Sequence, residues 1–305
     1  MQNLHILGIF FTIEIKLKRQ NNLEKILSTS EGSVNTNLIG SIHSDKIIIL
    51  VPGIDGSIDY FNEMIPYLKD KYTVVALDLL GQGKSSKVKS DNYTIDSEAW
   101  NMLEAIARLK IVKQLIIFGY GVGGLIAVNM AELRGFTISK LILLNTPATD
   151  KYSDMDASSS VAAIPLLGKL AKSPVKAGLY FDKNFDRKSL SNPKIVDEAA
   201  NMVDHKVAKK LQKMSVDYLG EKFLNKRLRT IKIPTLAMYA DGDQILGEKG
   251  IKDAKATIGR VPGLQLADIK GAGHLAMLEK PKEIVDKIIA FDEEKVERQQ
   301  VDIEE

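Results

Sequence analysis

Three short stretches carry the residue types that could do chemistry. The first is FGYGVGG, residues 118–124, inside IIFGYGVGGLIAVNMAELRG. An apolar strand runs into a tight turn and out into an apolar helix, and some enzymes hold their attacking side chain at the apex of such a turn. The apex here is Gly121, which has no side chain. The second stretch is ADGD, residues 240–243, after the apolar run IPTLAMY. Asp241 and Asp243 flank Gly242, which is also the composition of an ordinary turn. The third is GAGH, residues 271–274, where small neighbours let the imidazole of His274 reach a sheet edge. Of the four histidines, His5, His43 and His205 have no such context.

Composition removes other chemistries. Cysteine is absent, which excludes a Cys nucleophile, a thiolate zinc site and a disulfide framework. No His/Asp/Glu cluster has ligand spacing, so neither a metal nor another cofactor is expected. The net charge of +3 over 305 residues lacks the basic bias of a nucleic-acid binder. The basic runs KVAKK (206–210) and LNKRLR (224–229) read as solvated helix faces. With 45% hydrophobic and 27% charged residues the chain is globular. No apolar run reaches the roughly 18 residues needed to cross a bilayer. The N-terminal LHILGIFF is short and follows no basic residue, so a cytoplasmic protein without a membrane partner is the expectation.

Positioning the three stretches requires a sheet. Runs rich in Ile, Leu and Val predict strands at 10–17, 24–29, 46–51, 72–78, 113–119, 140–145, 235–240 and 264–270. The later runs are apolar throughout, as in a parallel sheet covered on both faces. Between them lie helical patterns. DSEAWNMLEAIARLK (96–110) offers Asp96 or Ser97 as N-cap, with Trp100, Leu103, Ile106 and Leu109 at helical spacing. Further helices fall at 125–133, ending near Gly135, at 249–259, and from Pro281 to about Phe291. This alternation predicts a doubly wound α/β fold with right-handed crossovers. Residues 149–230 carry no convincing strand and are too long for a plain loop. They predict a helical cap over the sheet end, inserted into a core formed by 1–148 and 231–292, with a charged tail at 293–305.

Five motifs in series resemble the α/β-hydrolase fold of the capped type, which includes small esterases, lipases and carbon–carbon bond hydrolases. IIILVPGIDGS (47–57) resembles its strand and oxyanion loop, and ALDLLGQGKSS (76–86) its Asp-x-x-Gly-x-Gly-x-Ser turn. FGYGVGG resembles its nucleophile elbow, IPTLAMYADGDQIL its acid-bearing strand, and GAGHLAMLEKP its histidine loop. The resemblance implies a roughly eight-stranded, mostly parallel sheet. It places Asp243 as the partner that orients His274, and it places Gly121 where a nucleophile, usually Ser, stands. It puts oxyanion donors on the backbone N–H groups of Ile54 and Val122. Pro52 departs from the family's usual His. Tyr120 is not expected to substitute as nucleophile, because the turn should point it elsewhere.

Glycine tolerates the strained elbow without steric cost, so the fold should survive the loss of the attacking atom. Three functions remain open on this reading. One is a catalytically silent protein that binds a small ester-like or carbonyl compound, or a protein partner, in a capped pocket. Another is a serine esterase whose nucleophilic serine has been replaced by Gly121. The third is an enzyme without a covalent step, using Asp243 and His274 as general base on water or on an acidic C–H. Ile164, Leu167 and Tyr180, with Leu166, Leu179, Phe181 and Met202, are the expected pocket lining.

Overall fold

Eight apolar-rich segments pair into one sheet. They are β1 (Asn22–Ser28), β2 (Ser33–Ile39), β3 (Ile47–Val51), β4 (Thr73–Leu77), β5 (Leu115–Tyr120), β6 (Ile138–Leu144), β7 (Thr235–Ala240) and β8 (Leu264–Ile269). The computed structural model describes residues 22–40, 45–54, 56–110, 114–133, 136–152, 190, 192, 194–202 and 205–294. The order across the sheet is β1-β2-β4-β3-β5-β6-β7-β8. The β1/β2 and β2/β4 pairs are antiparallel and every other pair is parallel.

The parallel strands lack polar alternation because both their faces are covered. In β3, Ile47, Ile49 and Val51 enter one apolar layer, while Ile48 and Leu50 enter the other. Successive side chains of a strand point to opposite faces, so both faces need apolar residues. Helices α1 (Ile95–Arg108) and α2 (Val122–Leu133) cover the first layer. Helices α4 (His205–Glu221), α5 (Leu224–Ile231) and α6 (Gly247–Ile258) bury side chains in the same layer. The second layer takes Ile195 and Val196 of α3 (Lys194–Asn201) and Ile284, Val285, Ile288 and Phe291 of α7 (Pro281–Glu293).

The predicted eight-stranded, mostly parallel α/β sheet is therefore present, with one strand that was not foreseen. The strand β2, SVNTNLI, was not predicted, because Ser33, Asn35, Thr36 and Asn37 interrupt its apolar pattern. The expected strand at 10–17 and the expected helix end near Gly135 lie outside the described residues. Helix α1 also differs in detail. Its N-cap is Thr94, whose hydroxyl accepts from the Ser97 N–H at 3.0 Å, not Asp96 or Ser97. Its buried face is built from Ile95, Ala99, Met102, Leu103 and Ile106, whereas Trp100 is 51% exposed. The indole of Trp100 instead donates to Glu104 at 3.1 Å. Among the described residues of the 149–230 segment there are helices and one 3-10 turn, and no strand.

Candidate active site

Connections leave the central strands in opposite directions: β3 leads to β4 on one side, and β5 adjoins β3 on the other. In open α/β sheets such a switch point opens a crevice at the carboxyl ends of the strands. Gly53 and Ile54 follow β3 there, and Gly121 follows β5.

Between the end of β5 at Tyr120 and the start of α2 at Val122, the chain turns on a single residue, Gly121, with φ +56°. The Gly121 N–H donates to the Leu144 carbonyl at 2.9 Å. The glycines around it are dictated by close packing. A Cβ on Gly119 would lie 2.5 Å from the Gly124 Cα, one on Gly123 would lie 2.5 Å from the Val51 carbonyl oxygen, and one on Gly124 would strike the Thr146 side chain. Gly121 is different. A Cβ built there meets nothing nearer than the Gly53 Cα at 3.9 Å and the His274 Nε2 at 4.0 Å. Space does not demand glycine at 121; only the left-handed backbone favours it.

His274 and Asp243 come from separate loops and meet at this apex. The Nδ1 of His274 lies 2.8 Å from Oδ2 of Asp243. Asp243 is 2% exposed, and its other oxygen accepts the Ile245 and Leu246 N–H groups at 2.8 and 3.1 Å. The carboxylate is thereby locked in place by three donors. With Nδ1–H given to Asp243, the neutral ring presents Nε2 as its basic nitrogen, on the side of Gly121. The sequence thus named three residues that the structure brings together.

Residues 46–281 match the sequence family described as alpha/beta hydrolase fold. The chain belongs to this family. Lipase 1 of Psychrobacter immobilis is 27% identical over 289 residues, covering 92% of this chain and 84% of the lipase. The uncharacterized hydrolase YugF of Bacillus subtilis (strain 168) is 26% identical over 251 residues, covering 81% of this chain and 89% of that protein. Among solved structures, the enol-lactonase from Burkholderia xenovorans LB400 superposes with a TM-score of 0.69 at 17% identity, covering 88% of this chain and 100% of that one.

In this α/β-hydrolase two further side chains hold the crevice together, and the sequence reading named neither. Asn145, directly after β6 with φ +49°, donates through Nδ2 to the His274 carbonyl at 3.0 Å. Its Oδ1 accepts the Ala240 N–H at 2.9 Å, so one buried amide joins the histidine loop to the strand that leads to Asp243. Gln82, fully buried, donates to the Gly53 carbonyl at 3.3 Å and steadies the loop that carries Ile54. The only sequence signal for Asn145 was a polar residue at the end of an apolar run, and Gln82 carried none beyond its place in the Gly-rich turn.

Ile54 is half-buried in the loop after β3, and Val122 is the first residue of α2. Tyr120 does not point away from the site, as the turn had suggested. Its ring centroid lies 5.0 Å from that of His274, so it packs on the imidazole. Ile164, Leu167 and Tyr180, with Leu166, Leu179 and Phe181, lie outside the described residues. Met202 is 36% exposed and lines a polar cavity beside β2. Among the described residues no group of three His, Asp or Glu could hold a metal ion, and no helix is long and apolar enough to cross a membrane.

Proposed function

We propose that this α/β-hydrolase binds a small ester-like or carbonyl compound at the crevice between Gly121 and His274 without forming an acyl-enzyme. The observation that carries the reading is the 4.0 Å between a Cβ placed on Gly121 and His274 Nε2, with no attacking atom at that apex. Gly121 occupies the place of the family's nucleophile, while the imidazole and its carboxylate remain in register. A carbonyl seated there would direct its oxygen at the N–H groups of Val122 and Ile54. The first of these lies at the positive end of the α2 dipole. The unprotonated Nε2 of His274 would accept a hydrogen bond from a water that bridges to the ligand. The helices of the 149–230 segment would cover the site as a cap.

Removing a triad nucleophile lowers turnover by about a million-fold in the best-measured case, which is why binding is placed ahead of serine-type hydrolysis. The test compares this chain with its Gly121→Ser variant. The chain itself should give no burst with p-nitrophenyl acetate or butyrate and no covalent labelling by a fluorophosphonate. It should bind a short-chain methyl ketone saturably, with binding weakened by His274→Ala. A burst, a covalent label, or the absence of ketone binding would overturn the proposal. The serine variant should gain both burst and label, because its Oγ would fall within hydrogen-bonding reach of Nε2.

The same nitrogen favours a second reading. Among the described residues nothing fills the gap between Nε2 and Gly121, where a water could sit and be deprotonated as it attacks a bound ester. Slow ester turnover by the unaltered chain, abolished in His274→Ala and without a burst, would select this reading.

A further inference from the structure

A second cavity, of about 230 Å³, lies beside β2 and is lined by none of Gly121, Asp243 and His274. Its walls are β2, the turn Ser57–Asn62 and the loop from Asp78 to Lys84. Asn35 and Asn37 sit two residues apart on β2 and so share a face of the strand. The side-chain carbonyl oxygens of both are buried and have no hydrogen-bond partner. Asn35 is fully buried, and its Nδ2 is committed to Asp78 Oδ2 at 2.8 Å, which fixes which end of the amide is the acceptor. A buried acceptor left unmet loses its interaction with water and gains nothing in return. Two on one wall of one cavity mark a place where donors are wanted.

Charge specifies the donor. Glu24, Asp59 and Asp78 line the cavity, against a single ammonium, Lys84, which is already paired with Glu24 at 2.6 Å. Asp78 accepts the Ile58 and Lys84 N–H groups at 2.7 and 3.0 Å, and burial pushes its carboxyl above the usual range. An occupant carrying positive charge and several N–H donors would answer both the unmet carbonyls and the surplus of carboxylates. The volume falls below the roughly 300 Å³ at which drug-sized pockets begin, and exceeds what one bare ion fills. We propose that this cavity is a binding site for a small organic ammonium compound, a primary amine of a few carbons. The walls of this cavity are tied to the crevice through the chain. The Ser57–Asn62 wall continues directly from the loop that bears Ile54, and Gln82 of the opposite wall's loop holds Gly53.

The experiment is a titration of the ¹⁵N-labelled full chain with ethanolamine and with putrescine at constant ionic strength, with glycerol as the neutral control. The side-chain amide resonances of Asn35 and Asn37 should shift saturably with either amine. Asp59→Asn should weaken the amine by about tenfold, the equivalent of one charge-assisted hydrogen bond. Asn37→Ala, at a half-buried position, should weaken it similarly by removing an acceptor. The proposal is overturned if neither amine gives a saturable shift, if glycerol binds as tightly as the amines, or if both variants keep the full affinity.

Discussion

Asn145 makes with one side chain a connection that would otherwise need a second loop contact. Its amide grips the His274 carbonyl and the Ala240 N–H together, from a backbone that L-residues adopt reluctantly. Asn145→Ala leaves two buried backbone groups unmet, and should destabilise the protein by about 1–3 kcal/mol, read as a shift in the urea midpoint at constant slope. In the Gly121→Ser background it should also slow acylation, whereas a change remote from the dyad with equal stability loss should not. Glu98 makes a second residue-scale prediction. It is fully buried, its Oε2 accepts the Leu80 N–H at 3.1 Å, and Oε1 has no partner. Burial pushes its carboxyl up to about 8 from an ordinary 4.5, so the folded chain keeps this proton where the unfolded chain has lost it. Stability from Glu98 is therefore full below 4.5 and declines as pH rises to about 8. Denaturation at about pH 5 and about pH 9 should show that decline, and Glu98→Gln should flatten it. At this scale Gly121, Asp243 and His274 were legible because each sits in a motif with fixed spacing. Asn145 was not, since an Asn after an apolar strand reads as the first residue of a turn.

At the scale of elements, legibility followed burial. Strands β3, β5 and β7 are covered on both faces and spell themselves in continuous apolar residues. β2 hides because Asn35 serves the neighbouring loop: its backbone N–H donates to Ser85 Oγ at 2.8 Å, and its side-chain Nδ2 holds Asp78. Period-3.6 spacing found helix α1 but put Trp100 on its buried side, since an indole looks apolar in any count. The structure orders the consequences. Trp100→Ala should change stability by about 0.5 kcal/mol or less, while Met102→Ala, one turn face away and fully buried, should lose about 2–5 kcal/mol. Chemical denaturation of the two variants measures the difference, and equal losses would contradict the described face.

For the whole molecule, the matched family region ends at 281, but the fold does not. Helix α7 continues to Glu293 and buries Ile284, Val285, Ile288 and Phe291. Its last turn is clamped by Lys140, which donates to the Phe291 and Asp292 carbonyls at 2.8 and 2.6 Å, and by Lys46, 2.7 Å from Asp292. Each of those four apolar side chains contributes about 1.5–3 kcal/mol, so together they rival the whole stability of a typical domain, about 5–15 kcal/mol. A chain cut after Lys280 should therefore fail to give a cooperative thermal transition by circular dichroism. The sequence conveyed this architecture through the order of its five motifs. The described helices α4 and α5 share a core layer with α1 and α2, a placement the sequence does not separate from a position above the sheet, because both carry the same apolar spacing.

The packing around Gly121 has an evolutionary corollary. Residues 119, 123 and 124 are confined by contacts among β3, β5, α2 and Thr146 that any folded version of the chain must keep. The cradle is thus maintained by the requirement to fold, whether or not anything reacts in it. On the proposed reading, reactivity at position 121 would be switched off or restored by one substitution, and natural selection acting on foldedness alone would scarcely register the exchange.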